Sequence, residues 1–223
     1  MIKSDLPNRD ELERKLAKVL GKNFRWQLRE LLDELGDPPL PDRLPPDFWE
    51  KTGLESVIEP ELIGTFLTAA EGLMLEINIG VEWGLVNQRA IDWGRPYTFD
   101  LVRGINTTTQ GVLRTAMESY YRDKLTKDQL AALLEPSFGP IRAEMIAITE
   151  TTRAGVEGER ELVRQIEAAN QNIKMMPIWQ TANDDRVCPI CGPRHGKPID
   201  DGYYPPAHPR CRCWVNHEMT VVE

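Results

Sequence analysis

The chain has no run of about 18 apolar residues, which argues against a membrane-spanning helix. Its opening stretch, MIKSDLPNRDELERK, lacks the apolar core of a secretory leader, so the protein is expected in the cytoplasm. Positive charge is in short supply. There are 27 Lys and Arg against 35 Asp and Glu, a formal net charge of −8. That argues against nucleic acid wrapping the whole surface, since non-specific binding needs clustered cations, although a local basic patch stays open. Cysteine is absent from the first 187 residues; all four lie at 188, 191, 211 and 213. A disulfide framework would spread its cysteines to staple distant loops, whereas a cluster in a reducing compartment more often holds metal. The βαβ context that thioredoxin-like redox chemistry requires is missing as well. What remains is an ordinary composition, 41% apolar and 28% charged, over 223 residues, enough for one or two domains.

Residues 8–35 read as an amphipathic helix: Leu12, Leu16, Val19 and Leu20 recur at helical spacing, followed by Trp26, Leu28, Leu31, Leu32 and Leu35. Asn8 or Asp10 is its candidate cap, and Gly36-Asp37-Pro38-Pro39 ends it. Segment 36–46 has five prolines and reads as a stiff, extended connector, so the helix before it is expected to reach outward towards a partner. Residues 60–90 read as one core helix on Leu62, Phe66, Leu73, Ile77 and Leu85, bent at Gly80 and Gly84. A turn-rich stretch at 92–97 precedes a threonine-capped helix over 106–123 and a short helix over 127–134 closed by Pro136. The last long helix spans about 140–171, with Ile141, Met145, Ile148, Val156, Val163 and Ile166 on its buried side. Arg142, Glu144, Glu150 and Arg153 read as its solvated face, with Glu150 and Arg153 paired at i, i+3. Residues 173–181 read as a strand. The expected fold is mainly α, a multi-helix body with a small zinc-stapled, β-containing C-terminal module. Its expected parts are an N-terminal helix and connector (1–46), a helical body (47–172) and the metal module (173–223).

Zinc needs four soft or borderline ligands converging tetrahedrally, and a C-x2-C loop supplies two thiolates from one short turn. Cys188-Pro189-Ile190-Cys191-Gly192 has that form, and His208-Pro209-Arg210-Cys211 repeats the spacing with a histidine in the first place. The expected ligands are Cys188, Cys191, His208 and Cys211, with Cys213 a competitor because it shares a strand face with Cys211. Four ligands close the shell, so the zinc is expected to be structural and no catalytic residue is assigned. Asp184 and Asp185 are read as turn or supporting residues, and His195 and His217 have no partner that spacing reveals. Between 184 and 217 the local charge is near neutral, which allows weak contact with DNA but no sequence reading.

Two blocks carry a resemblance. The first is the helix Arg142-Ala143-Glu144-Met145-Ile146-Ala147-Ile148-Thr149-Glu150-Thr151-Thr152-Arg153-Ala154. The second comprises Trp179, then Asp184-x-Arg186-Val187-Cys188-Pro189-x-Cys191, and finally Pro205-Pro206-x-His208-Pro209-x-Cys211-Arg212-Cys213. In order and spacing they resemble the phage Mu F-like head morphogenesis family, the minor head proteins of tailed phages, over about residues 100–215. The resemblance implies a non-enzymatic head-assembly component that associates with the portal protein and with scaffold or major capsid protein. It would sit in the head interior or portal region, pass through the host cytoplasm during assembly, and influence genome packaging or ejection. Some family members carry a toxin or ADP-ribosyltransferase domain after the motif; with the sequence stopping at Glu223, none is expected. A metal-dependent nuclease or hydrolase acting on DNA is the alternative, and a prophage-derived zinc module with an unrelated partner is a third reading. Residues 1–95 gain little from the resemblance.

Overall fold

Apolar residues three and four apart build five α-helices among the described residues, 5–182 and 187–221 of the computed structural model. They are α1 (Arg9–Leu35), α2 (Leu54–Ile77), α3 (Trp83–Asp123), α4 (Lys127–Phe138) and α5 (Pro140–Ala169). Two strands follow, β1 (Ile173–Gln180) and β2 (Trp214–Val221), paired antiparallel with Trp179 opposite Val215 and Met175 opposite Met219. The expected class, a mainly helical body with a small β-containing terminus, is what the chain adopts.

Helix α1 does not reach outward. Its stripe of Leu16, Leu20, Phe24, Leu31 and Leu35 is buried in one core with Ile58 and Leu62 of α2, Leu130 and Leu134 of α4, and Ala147 of α5. Burying each of these larger side chains stabilises the fold by about 1.5–3 kcal/mol, far more than an exposed helix would gain by standing free. Asn8 takes the N-cap place with a left-handed backbone and makes no side-chain cap bond. Nor is the proline segment an extended spacer. It folds back through a 3-10 turn at Pro41–Arg43, Leu40 N–H donates to Leu35 C=O (2.9 Å), and Tyr121 donates to Pro39 C=O (3.0 Å). Phe48 and Trp49 are buried behind it.

The single helix expected over 60–90 is two. Asn78 adopts the left-handed conformation and caps α2, so the chain turns before α3 starts at Trp83. The supposed turn at 92–97 is instead helical, inside α3. There Gly94 leaves room for Ile63 of α2, whose side chain would lie 2.6 Å from a Cβ, and Trp93 stacks on Tyr97 (5.0 Å) and packs against Phe66. That aromatic packing outweighs the hydrogen bond lost at Pro96. Thr107, Thr108 and Thr109 do not cap a helix; their hydroxyls bond back to carbonyls one turn earlier in α3. Helix α4 runs past Pro136 to Phe138 and is opened by a Thr126–Gln129 capping box.

Helix α5 lies at the centre. Gly158 lets it press on α2, where a Cβ would sit 2.1 Å from Phe66 O. The charges read as a solvated face divide. Glu144 is exposed, but Arg142 is half-buried: it donates to Thr109 (2.9 Å), Ser137 C=O (2.7 Å) and Ile105 C=O (3.1 Å), and lies over Phe24. Glu150 is buried, accepts from Tyr97, and pairs with Arg153 at 3.4 Å, as its spacing predicts. Ile141, expected inside, is exposed at the start of the helix. The β-pair closes on α5: Met175 joins Phe66, Leu162 and Ile166, while Trp179 and Val215 pack with Val156. The other edge of β1 is covered by segment 196–199, through Trp179 N–H to Lys197 C=O (2.9 Å) and Ile199 N–H to Pro177 C=O (2.8 Å). No helix among the described residues is long and apolar enough to cross a membrane.

Candidate metal centre

Two tight turns face each other beneath the β-pair. In the first, the Cys191 and Gly192 amides donate to Cys188 C=O (3.2 and 2.9 Å), and the Cys191 amide also points at Cys188 Sγ (3.4 Å). In the second, Cys211 N–H donates to His208 C=O (3.1 Å), with Arg210 at φ 63 making the reversal. His208 Nδ1 lies 2.8 Å from Pro209 C=O. A carbonyl only accepts, so Nδ1 carries the proton and Nε2 keeps its lone pair for the centre, the arrangement typical of a metal-binding imidazole. Nε2 lies 3.0 Å from Cys188 Sγ and 3.3 Å from Cys191 Sγ, and Cys191 Sγ lies 3.8 Å from Cys211 Sγ.

These distances suit a metal. Zinc–sulfur bonds of about 2.3 Å and zinc–nitrogen bonds of about 2.0 Å make tetrahedron edges of about 3.8 Å between sulfurs and about 3.5 Å between sulfur and nitrogen. The sulfur pair matches, and the two sulfur–nitrogen pairs are slightly tighter. The donor atoms form two groups, each mutually within 4.8 Å: Cys188, Cys191 and His208, and Cys191, Cys211 and Cys213. Cys191 is common to both. The structure therefore brings all four expected ligands together as two overlapping groups that share Cys191, with Cys213 in the second, and all five line a cleft of about 440 Å³.

Electrostatics within the cluster divide the thiols. The Cys213 thiol donates to Cys211 and holds it down at about 5, although burial opposes this. Cys213 is correspondingly raised by that same bond and by burial. Burial, together with the Cys211 charge, pushes Cys191 up to about 12. At Cys188 burial works upward, but the amides of Cys191 and Ile190 outweigh it and the thiol ends below its ordinary value.

Helix α5 fixes the second turn. Arg210 N–H donates to Thr149 Oγ1 (2.9 Å), and Thr152 O–H donates to Cys211 C=O (2.8 Å) while accepting from Arg9 Nη1 of α1 (2.9 Å). Arg212 pairs with buried Glu13 of α1 (2.6 Å), and Arg210 with Glu144 (3.3 Å). Thr149, Thr152, Glu13 and Arg9 thus position the centre without joining it. Sequence reasoning missed them: a helical threonine reads only as a weak helix former. The one signal was that both threonines fall inside the Arg142–Ala154 block.

The remaining histidines stand apart. His195 Nδ1 accepts from the Thr181 amide (3.1 Å), and His217 is buried on β2 with no partner for its Nδ1 among the described residues. Burial pushes His217 down to about 4. Arg194 pairs with Asp201 (3.0 Å) and lies over Tyr203 and Trp179. With Arg210 and Arg212 also paired, the module's described arginines are spent on internal contacts. Asp184, Asp185 and Arg186 lie outside the described residues.

A helical body followed by a Cys/His module of two facing turns defines the class: a mainly α protein with a Cys/His cluster compatible with a metal site. The family model described as Phage Mu protein F like protein matches residues 105–216, half of the chain. The chain belongs to this family. No curated protein and no solved structure matches it.

Proposed function

We propose that the protein is a minor head protein of a tailed phage or prophage, a non-enzymatic component that associates with the portal during head assembly. The family match over residues 105–216 carries this reading. It includes α5 from its first residue and both turns of the Cys/His cluster. In this role the zinc is structural, held by Cys188, Cys191, His208 and Cys211, with Cys213 as a thiol donor beside Cys211. Four protein ligands leave no position for a substrate, which favours a staple over catalysis. The module of residues 173–223 is then presented by the helical body of residues 47–172, with Arg9 and Glu13 of the 1–46 segment bracing its second turn. Scaffold or major capsid protein is a further partner, and the working place is the head interior or portal region.

A portal pull-down with the full chain, paired with elemental analysis of the same sample, tests both halves. One zinc per chain and retention of portal are expected. A sample free of zinc would overturn the metal assignment, and failure to retain portal would overturn the assembly role. Metal-dependent cleavage of DNA by the purified chain would instead favour the nuclease reading.

A further inference from the structure

The acidic chain carries one strongly basic face, and it lies outside the family-matched residues. Between 14 and 29 the sequence has six cations, Arg14, Lys15, Lys18, Lys22, Arg25 and Arg29, and no acid. At 3.6 residues per turn they fall within an arc of about 100° on α1 and span about 22 Å of its length. All six are exposed. Lys15 is paired with Glu61 (3.0 Å) and Arg29 with Glu30 (3.4 Å). Arg14, Lys18, Lys22 and Arg25 have no ion-pair partner among the described residues.

This face borders a cleft of about 420 Å³ lined by Arg14, Lys18, Arg25, Pro140, Ile141 and Glu144. The far wall is the start of α5, a 30-residue helix whose N-cap, Gly139, offers no side-chain bond. Its first amides and its dipole therefore add positive potential on the same side. The next cleft is mixed in charge, with Asp10, Glu13 and Glu144 beside Arg14 and Arg212, so the cationic stretch ends at Arg14.

We propose that this face of α1 binds the phosphate backbone of duplex DNA without reading its sequence. The arc is uniformly cationic, whereas a protein-docking face carries an apolar centre and loses charge there. A ladder of cations about one turn apart instead suits a polymer with a charge every 1.7 Å or so along its axis. The inference goes beyond the head-assembly reading, and either can fail alone, since portal retention and DNA affinity are separate measurements.

The test is fluorescence anisotropy of the full chain with a labelled mixed-sequence duplex across a salt series. Four phosphate contacts give a slope of log K on log[salt] near −3.6, so affinity should fall about 150-fold between 50 and 200 mM. Each single change, such as K22Q, should lower the slope by about one and weaken every sequence alike. The variant R14Q/K18Q/K22Q/R25Q should lose binding while keeping its helical circular dichroism, because glutamine is nearly as good a helix former. K174Q, on β1, should bind as the parent does. No binding at low salt, an unchanged slope in the quadruple variant, or tighter binding of a poly-glutamate chain than of the duplex would each overturn the proposal.

Discussion

Replacing Thr152 by valine tests whether α5 truly holds the second turn of the centre. Thr152 is 1% exposed, donates to Cys211 C=O at 2.8 Å, and accepts from Arg9 Nη1 at 2.9 Å. Valine keeps the shape and deletes the hydroxyl, so the carbonyl of a proposed ligand residue loses its partner. Leaving such a group unsatisfied costs about 1–3 kcal/mol, and a hydrogen bond from a charged donor adds about 1.5–3 kcal/mol. Arg9 keeps Asp5 at 2.7 Å and Glu13 at 3.8 Å, so its share lies at the low end. The two losses share one oxygen and do not simply add, which leaves a total of about 3 kcal/mol. For a chain of this length that lowers Tm by about 6–12 °C. Zinc affinity, read by competition with a chromophoric chelator, should weaken about 10- to 100-fold, as when outer contacts of a metal site are removed. The variant T152S retains the hydroxyl and should stay near the parent in both readouts. A T152V melting point within about 2 °C of the parent, with unchanged zinc affinity, would refute the reasoning.

Three further outcomes follow from the same structure. G158A should lose about 3 kcal/mol or more in urea denaturation, although alanine is the better helix former, because the new Cβ would lie 2.1 Å from Phe66 O and push α2 off α5; equal or greater stability would show that the crossing is looser. Burial holds His217 at about 4, against an unfolded value near 6.5, so its neutral form contributes stability in full above the unfolded value. That contribution, about 3 kcal/mol, drains as pH falls from about 6.5 to 4, and the H217L variant should lose less stability than the parent across that window; parallel pH profiles would remove His217 as the cause. In cobalt-loaded protein, C211S should weaken the thiolate-to-metal absorption and C213S should leave it nearly unchanged; the reverse result would make Cys213 the fourth ligand.

How much of this was legible in the sequence depended on the range of the forces concerned. The two turns at Cys188–Cys191 and His208–Cys211 could be read directly, because ligand spacing within a turn is local chain geometry. Helices α1 and α5 were placed nearly to the residue, since a strong apolar stripe with proline or glycine at its ends says where a helix starts and stops. Within 60–123 the helical stretches are legible, and α3 ends at Asp123 as expected, but the break falls at Asn78 rather than at 92–97. Gly94 and Pro96 signal a turn locally, yet inside α3 they sit where Ile63 and Phe66 of α2 must approach, and the packing prevails.

The sequence by itself determined the helical class, the Cys/His cluster and the family. The tertiary structure decided what surrounds them: that α1 packs on the body rather than standing free, that Thr149, Thr152 and Glu13 brace the His208–Cys211 turn, and that four cations with no ion-pair partner among the described residues line one face of an acidic protein. The physical reason is that a turn or a helical stripe is set by neighbours in the chain. Burial, ion pairing and the partners of a backbone carbonyl depend on residues as far apart as Glu13 and Arg212, which only the packed fold brings together.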